Sequence, residues 1–260
     1  MAFDRETGTG HAGLILGVAA VLATGVFGLG GGSSAQATTV STPGFNASVT
    51  ATVAPTRLPA AGGAPVRLTI KGTGTRPDPT ALSAYPLHLI DLKLDRQITV
   101  DTTGLPTCTP SALKFVTPAV ARRKCGGALI GTGEADLTMP SVVEEGAIFS
   151  GHFDLLFFNG KHKGRPAVLM YRSYTRIPGG IAWPIGNGRR LRIKDTGGED
   201  SRTLTSSFDI RIGKTWRFKG QRHSFLNARC ATGAIRTGIT LTMDSGQVSK
   251  TTQQQCVKRR

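Results

Sequence analysis

Apolar residues recur at every second position along this chain, in one short run after another. Phe45, Ala47, Val49, Ala51 and Val53 alternate with small polar residues, and Val66, Leu68 and Ile70 alternate with Arg67, Thr69 and Lys71. The same period returns at Leu191/Ile193, at Phe208/Ile210/Ile212, at Trp216/Phe218 and from Ile235 to Met243. A period of two belongs to a strand with one buried face and excludes coiled coils and helical bundles. Between the runs lie turn signals: Ala61-Gly62-Gly63, Arg76-Pro77-Asp78-Pro79, Asn159-Gly160, Pro178-Gly179-Gly180, Asn187-Gly188, Thr196-Gly197-Gly198 and Ser245-Gly246. The 34 glycines and 14 prolines among 260 residues fit many short elements joined by tight turns. Phe153 to Phe158 and Ala167 to Tyr171 are nearly continuous in apolar residues, as central strands covered on both sides would be. The expected fold is all-β, an antiparallel β-sandwich or distorted barrel of about ten strands. No repeat of fixed period is visible, which disfavours solenoids and propellers.

One helix interrupts this pattern. Thr117 can cap it, Pro118 suits its first position, and Ala119 to Cys125 carries it to Gly126-Gly127, where it is expected to end. Arg122, Arg123 and Lys124 fall in its last turn, where the helix dipole favours cations.

The N-terminus sets the compartment. From Ala12 to Leu29 run 18 residues without a charge, followed by Gly30-Gly31-Gly32-Ser33-Ser34 and an Ala35-Gln36-Ala37 site. That is the layout of a secretory signal peptide over residues 1–37, although Asp4, Arg5 and Glu6 nearly cancel where a positive charge is usual. The alternative is an uncleaved anchor, for which 18 helical residues reach about 27 Å against a bilayer core of about 30 Å. Residues 38–55 then read as a linker and first strand, Thr38 to Pro43 being the linker, and 56–257 as the folded domain. Cys108, Cys125, Cys230 and Cys256 make an even set in a chain bound for export, so disulfides are expected. Three connectivities exist, and sequence neighbours favour Cys108 with Cys125 and Cys230 with Cys256. No C-x-x-C or histidine spacing points to a metal or redox pair, and no cofactor is implied.

Charge is the most informative functional feature. The chain holds 32 Lys and Arg against 16 Asp and Glu, a net charge of +16. Without residues 1–37, which contain Arg5, Asp4 and Glu6, the net charge becomes +17. Nine basic residues and no acid lie from Lys161 to Lys194, including Lys163, Arg165, Arg172, Arg189, Arg190 and Arg192. Seven more lie from Arg211 to Arg236, including Arg217, Lys219 and Arg222, again with no acid. Alternation with apolar neighbours places Arg192/Lys194 and Arg217/Lys219 on outward strand faces. Arg172, Arg189, Arg190, Arg192, Lys194, Arg217, Lys219 and Arg222 are therefore the candidate contacts for a polyanion, such as an anionic cell-wall polymer or an acidic polysaccharide. Nucleic acid is disfavoured, because Tyr171, Tyr174, Trp183 and Phe225 are the nearby aromatics and all suit a core. Membrane contact is expected only through residues 12–29, if the leader stays attached.

The order Gly104-Leu105-Pro106-Thr107-Cys108, then Ala121-x-x-x-Cys125-Gly126-Gly127-Ala128-Leu129-Ile130-Gly131-Thr132-Gly133, continues with Phe158-Asn159-Gly160 and Gly164-Arg165-Pro166. It ends with Ala228-Arg229-Cys230 and a late Cys256. In this order the chain resembles a family of uncharacterised secreted proteins from high-GC actinobacteria over residues 56–257. The resemblance implies a leader, a β-rich fold and paired cysteines, and carries no activity onto any residue.

Catalytic signals are sparse. Glu134-Ala135-Asp136-Leu137-Thr138-Met139 has the alternating carboxylates of a glucan hydrolase strand, but Met139 stands where a second Glu is needed. Glu144, Glu145, His152 and Asp154 could form an acid/base or metal site, though His152 and Asp154 suit a solvent-facing strand. There is no Gly-x-Ser-x-Gly elbow and no phosphate-loop ending after Gly126 to Gly133. The expectation is a non-enzymatic, surface-associated module, with a divergent wall-polysaccharide hydrolase or a structural, partner-binding domain as alternatives.

Overall fold

The structure is a computed structural model and describes residues 37–42, 45–75, 87–140, 148–174, 180–187, 189–194, 204–243 and 246–259. The expected leader, through residue 36, lies outside them, as do Glu144, Glu145 and the turns around Pro77 and Gly197. In chain order the elements are β1 (Thr38–Thr42), β2 (Phe45–Ala54), β3 (Arg57–Pro59), β4 (Ala64–Pro65), β5 (Arg67–Thr75), β6 (Leu87–Lys93) and β7 (Ile98–Val100). Helices α1 (Pro110–Leu113) and α2 (Pro118–Cys125) follow, then β8 (Leu129–Pro140), β9 (Ile148–His162), β10 (Arg165–Tyr174), β11 (Gly180–Asn187) and β12 (Arg190–Lys194). The chain continues through β13 (Leu204–Ile212), β14 (Thr215–Phe218), β15 (Gln221–Ser224), β16 (Leu226–Ala228), β17 (Ala234–Met243), β18 (Gly246–Gln255) and β19 (Val257–Arg259).

Twelve of these strands form one antiparallel sheet in the order β1-β2-β5-β13-β8-β9-β10-β11-β12-β6-β17-β18. The last strand returns beside β1 and β2, so the sheet is a nearly closed barrel. The seam is fastened at one end by side chain and tail. Gln254 accepts a hydrogen bond from Val53 N–H at 2.7 Å and donates one to the Val53 carbonyl at 3.0 Å. Just beyond it, β19 runs parallel to β3, with Val257 N–H on the Thr56 carbonyl at 3.0 Å.

The period-two runs explain which way the barrel faces. Ala47, Val49, Ala51 and Val53 of β2, Leu68 and Ile70 of β5, Ile210 and Ile212 of β13 and Ile239 and Leu241 of β17 are buried in one core. The alternate residues, among them Lys71, Glu134, Asp136 and Arg211, are exposed. Apolar inside and charged outside is the reverse of a barrel that faces lipid. No helix among the described residues is long and apolar enough to cross a membrane.

On β9 and β10 both faces are buried, as their continuous apolar runs require. Leu155, Phe157, Val168 and Met170 join the inner core, while Leu156, Phe158, Leu169 and Tyr171 pack outward against Leu113, Ala121 and Ala128 of the helical segment. The Tyr171 hydroxyl donates to the Val116 carbonyl at 2.6 Å, which satisfies its one polar atom in that layer. Both expected disulfides are present, Cys108–Cys125 holding the helices over β9 and Cys230–Cys256 tying the loop before β17 to the end of β18.

Four local readings are corrected or refined. Thr38 to Thr42, expected as linker, is strand β1, paired with β2 from Thr38↔Val49 to Thr42↔Phe45. Asn159-Gly160, expected as a turn, lies inside β9. There Asn159 is buried and donates to the Pro106 carbonyl at 2.9 Å, and Gly160 leaves room for Leu169 and the Cys108 carbonyl. The α-helix ends at Cys125 with Gly126 as its C-cap, as expected, but Gly126-Gly127 do not leave helical geometry at once: they open a separate 3-10 turn over Gly126–Ala128. Finally, Thr109 and Pro110 start a second helix, α1, with the Thr109 hydroxyl accepting from Ala112 N–H at 3.3 Å.

Candidate functional site

The outer face around β12 gathers four of the nine basic residues of the first stretch. The turn of the β9–β10 hairpin is two residues long, Lys163-Gly164, with φ of 49° and 78°. Positive φ at both positions is the type I′ turn that matches strand twist, and it normally takes Asn, Asp or Gly at its first position. Here a lysine occupies it. On the neighbouring strands a register shift between Val168 and Leu169 bulges the β10–β11 pairing, and β12 pairs with β11 through Gly186↔Leu191 and Asn187↔Arg190. Bulges re-aim side chains and bend a sheet locally. The result is an open concavity of about 680 Å³ in which His162, Lys163 and Arg165 face Arg190 and Arg192 over Ile185 and Gly186. No carboxylate lines it among the described residues.

Beneath the arginines lies Asp91 of β6, directly across from Arg192 in register. Its side chain is only 8% exposed, whereas those of Arg190 and Arg192 are 54% and 55% exposed. Arg190 donates from Nε at 2.9 Å and from Nη2 at 2.6 Å to the two Asp91 oxygens, and Arg192 donates from Nε at 2.9 Å. Burial pushes the Asp91 carboxyl up, but the hydrogen bonds and charges of the two guanidiniums outweigh it and hold the group below the usual carboxylate range. Arg190 is correspondingly raised by its bond to Asp91.

The other candidate contacts are dispersed. Arg172 shares the inward face of β10 with Met170, its guanidinium 5.2 Å from the centre of the Phe153 ring. Arg189 turns to the Arg96 carbonyl at 3.4 Å. Lys194 pairs in register with Leu89. Arg217 and Arg222 stand opposite each other on the separate β14–β15 hairpin, and Lys219 sits at its tip in a second Lys-Gly turn with φ of 48° and 78°. That hairpin is pinned by its other face. Trp216 Nε1 donates to the Thr103 carbonyl at 3.0 Å, and His223, stacked on Trp216, bonds Asp101 at 2.8 Å. Of the aromatics considered for stacking on bases, Tyr171 and Phe225 are buried, while the side chains of Tyr174 and Trp183 lie outside the described residues.

The carboxylates of β8 also form a cluster. Lys71, Asp209, Glu134 and Asp154 stand in one cross-strand row, and Asp136 lies opposite both His152 and Ser207. Like charges placed directly opposite repel, and Lys71 at 2.9 Å and Arg211 at 3.1 Å relieve Asp209. Asp136 accepts from the Ser207 hydroxyl at 2.6 Å and from His152 Nδ1 at 2.7 Å, so both its oxygens are engaged. These bonds hold its carboxyl low, whereas a general acid in glycoside hydrolysis needs its pKa raised. Among the described residues no group of three His, Cys, Asp or Glu side chains is disposed to hold a metal ion.

Two parts of the basic site escaped sequence reasoning. Asp91 is a lone acid between Ile90 and Leu92, and that position in an apolar alternation is the signal that it needs a cationic partner. The Lys163-Gly164 pair carries the composition of a two-residue turn, which would have placed Lys163 and Arg165 at a hairpin tip. No family model, curated protein or solved structure matches the chain.

Proposed function

We propose that this protein is an exported, non-enzymatic binding domain that holds a polyanionic polymer of the cell wall or surface in the concavity between the β9–β10 tip and β12. The observation that carries this reading is the convergence of Lys163, Arg165, Arg190 and Arg192 on one hollow with no carboxylate among its described lining. Cations gathered over a concave surface focus their field outward and raise the local concentration of an anionic ligand. Export is supported by the leader-like residues 1–37 and by the two disulfides, which belong to an oxidising compartment. The resemblance to secreted actinobacterial proteins points the same way.

The test is retention of the protein on immobilised anionic wall polymer as salt is raised. Binding at about 0.1 M salt and release by about 0.5 M is expected, as screening shortens over that range. The double variant K163A/R165A should release at markedly lower salt. Retention that ignores salt, or that survives this double change unaltered, overturns the proposal.

A further inference from the structure

We infer that the anionic group held in this concavity is a tetrahedral oxyanion, a phosphate ester, gripped between Arg190 and Arg192 on one wall and Lys163 and Arg165 on the other, with Asp91 as the residue that positions the two guanidiniums. The inference rests on the polyanion reading above and narrows it to one chemical class.

Asp91 engages only part of each arginine. Arg190 gives it Nε and Nη2, and Arg192 gives it Nε alone, so Nη1 of Arg190 and both Nη groups of Arg192 are uncommitted to it. The buried carboxylate therefore anchors two half-exposed forks side by side. A guanidinium fixed in this way loses less freedom when it binds, and one carboxylate between two guanidiniums leaves a net positive charge on that wall.

The opposite wall is built at a hairpin turn. Lys163 holds φ of 49°, a backbone state in which Asn, Asp or Gly costs less. Lys163, with Arg165 immediately after the turn, puts two more charges across the hollow from β12.

The two-walled arrangement discriminates between anions by shape. A carboxylate offers two acceptor oxygens in one plane and is satisfied by a single guanidinium fork. A phosphate ester spreads its oxygens over a tetrahedron, so donors arriving from two sides can each reach one.

The experiment compares the full chain on poly(glycerol phosphate) and on polygalacturonate of matched charge, at fixed salt. A preference of about tenfold for the phosphate polymer is expected, the size of a lost charge-assisted bond or two. Asp91→Asn should reduce that preference to about threefold or less, and Arg192→Lys, which keeps the charge but removes the fork, should do the same by weakening phosphate-polymer binding more than polygalacturonate binding. If Asp91→Asn does not fold by circular dichroism, Arg192→Lys decides alone, and an unchanged preference there overturns the clamp. Equal binding of the two polymers by the parent protein also overturns the clamp while leaving the polyanion reading standing. Binding of neither polymer, with no co-sedimentation with phosphatidylglycerol vesicles, overturns both. Co-sedimentation with phosphatidylglycerol vesicles in the absence of polymer binding would assign the phosphate to a lipid headgroup and overturn the polymer as its source.

Discussion

Arg217 and Arg222 face each other across the β14–β15 hairpin, two exposed guanidiniums in direct register. Like charges in that position are destabilising, and no carboxylate among the described residues forms an ion pair with either of them. Arg222→Glu should therefore stabilise the protein by about 0.5 kcal/mol in urea unfolding. Polymer retention should be unchanged, because the hairpin is not part of the concavity. A loss of retention equal to that of K163A/R165A would move the binding site to the hairpin.

The amide of Gln254 substitutes for a neighbouring strand at Val53. Gln254→Leu leaves a buried N–H and a buried carbonyl of Val53 without partners. The expected cost is about 2 kcal/mol, read as a lower urea midpoint with little change in slope. A variant as stable as the parent would show that the seam does not depend on this pair.

Lys163 sets stability against binding. Lys163→Asn places a residue that tolerates positive φ at the first turn position and should raise stability by about 0.5 to 1 kcal/mol. The same change removes a cation from the hollow and should lower the salt at which polymer is released. A gain in both stability and binding would contradict the role given to this side chain.

Cys230–Cys256 closes 26 residues and secures the tail that fastens the seam. Replacing both cysteines with Ala should cost about 3 kcal/mol in the chain-entropy account. The measurement is thermal unfolding of the double variant beside the parent, with Cys108–Cys125 left intact. An unchanged midpoint would contradict it.

His152 and Asp136 give the surface cluster a pH dependence. The bond to Asp136 raises the imidazole against its partial burial, and Ser207 followed by His152 lowers the Asp136 carboxyl. The pair's contribution to stability is thus whole between about pH 4 and pH 6.5, the ordinary values of the two groups. It declines as pH rises through the raised His152 value, and as pH falls through the lowered Asp136 value. An NMR titration of the His152 ring should give a midpoint above about 6.5. A midpoint at or below that value would remove the interaction from the account.

Much of the barrel was legible because β2, β5, β13 and β17 alternate cleanly, and because the two-sided apolar runs of β9 and β10 could only be interior. The neighbouring pairing of the cysteines was legible too. What was hidden depends on partners distant in sequence. Thr38 to Thr42 has no apolar face to announce a strand, and it becomes one by pairing with β2. Asn159-Gly160 carries turn composition, yet the Pro106 carbonyl and the Leu169 side chain use those two residues for packing instead. At the candidate site, alternation placed Arg192 outward correctly, but only the register of β6 against β12 puts Asp91 beneath it. The face taken by Arg172 was not legible, because β10 is apolar on both faces and gives no alternation to say which way one arginine points.

The seam joins Val53 to a residue 201 positions later, with the Cys256 disulfide and β19 beside it. During synthesis β2 emerges early and must wait for almost the whole chain before its last neighbour exists. The part of its outer edge beyond β1, from Thr50 to Ala54, is open to competing strands for that entire interval. Closure through such a distant contact makes folding slow relative to local hairpins such as β9–β10. The protein's vulnerability in the cell is accordingly one of timing: a chain paused or cut before residue 254 holds its hairpins but cannot shut its barrel.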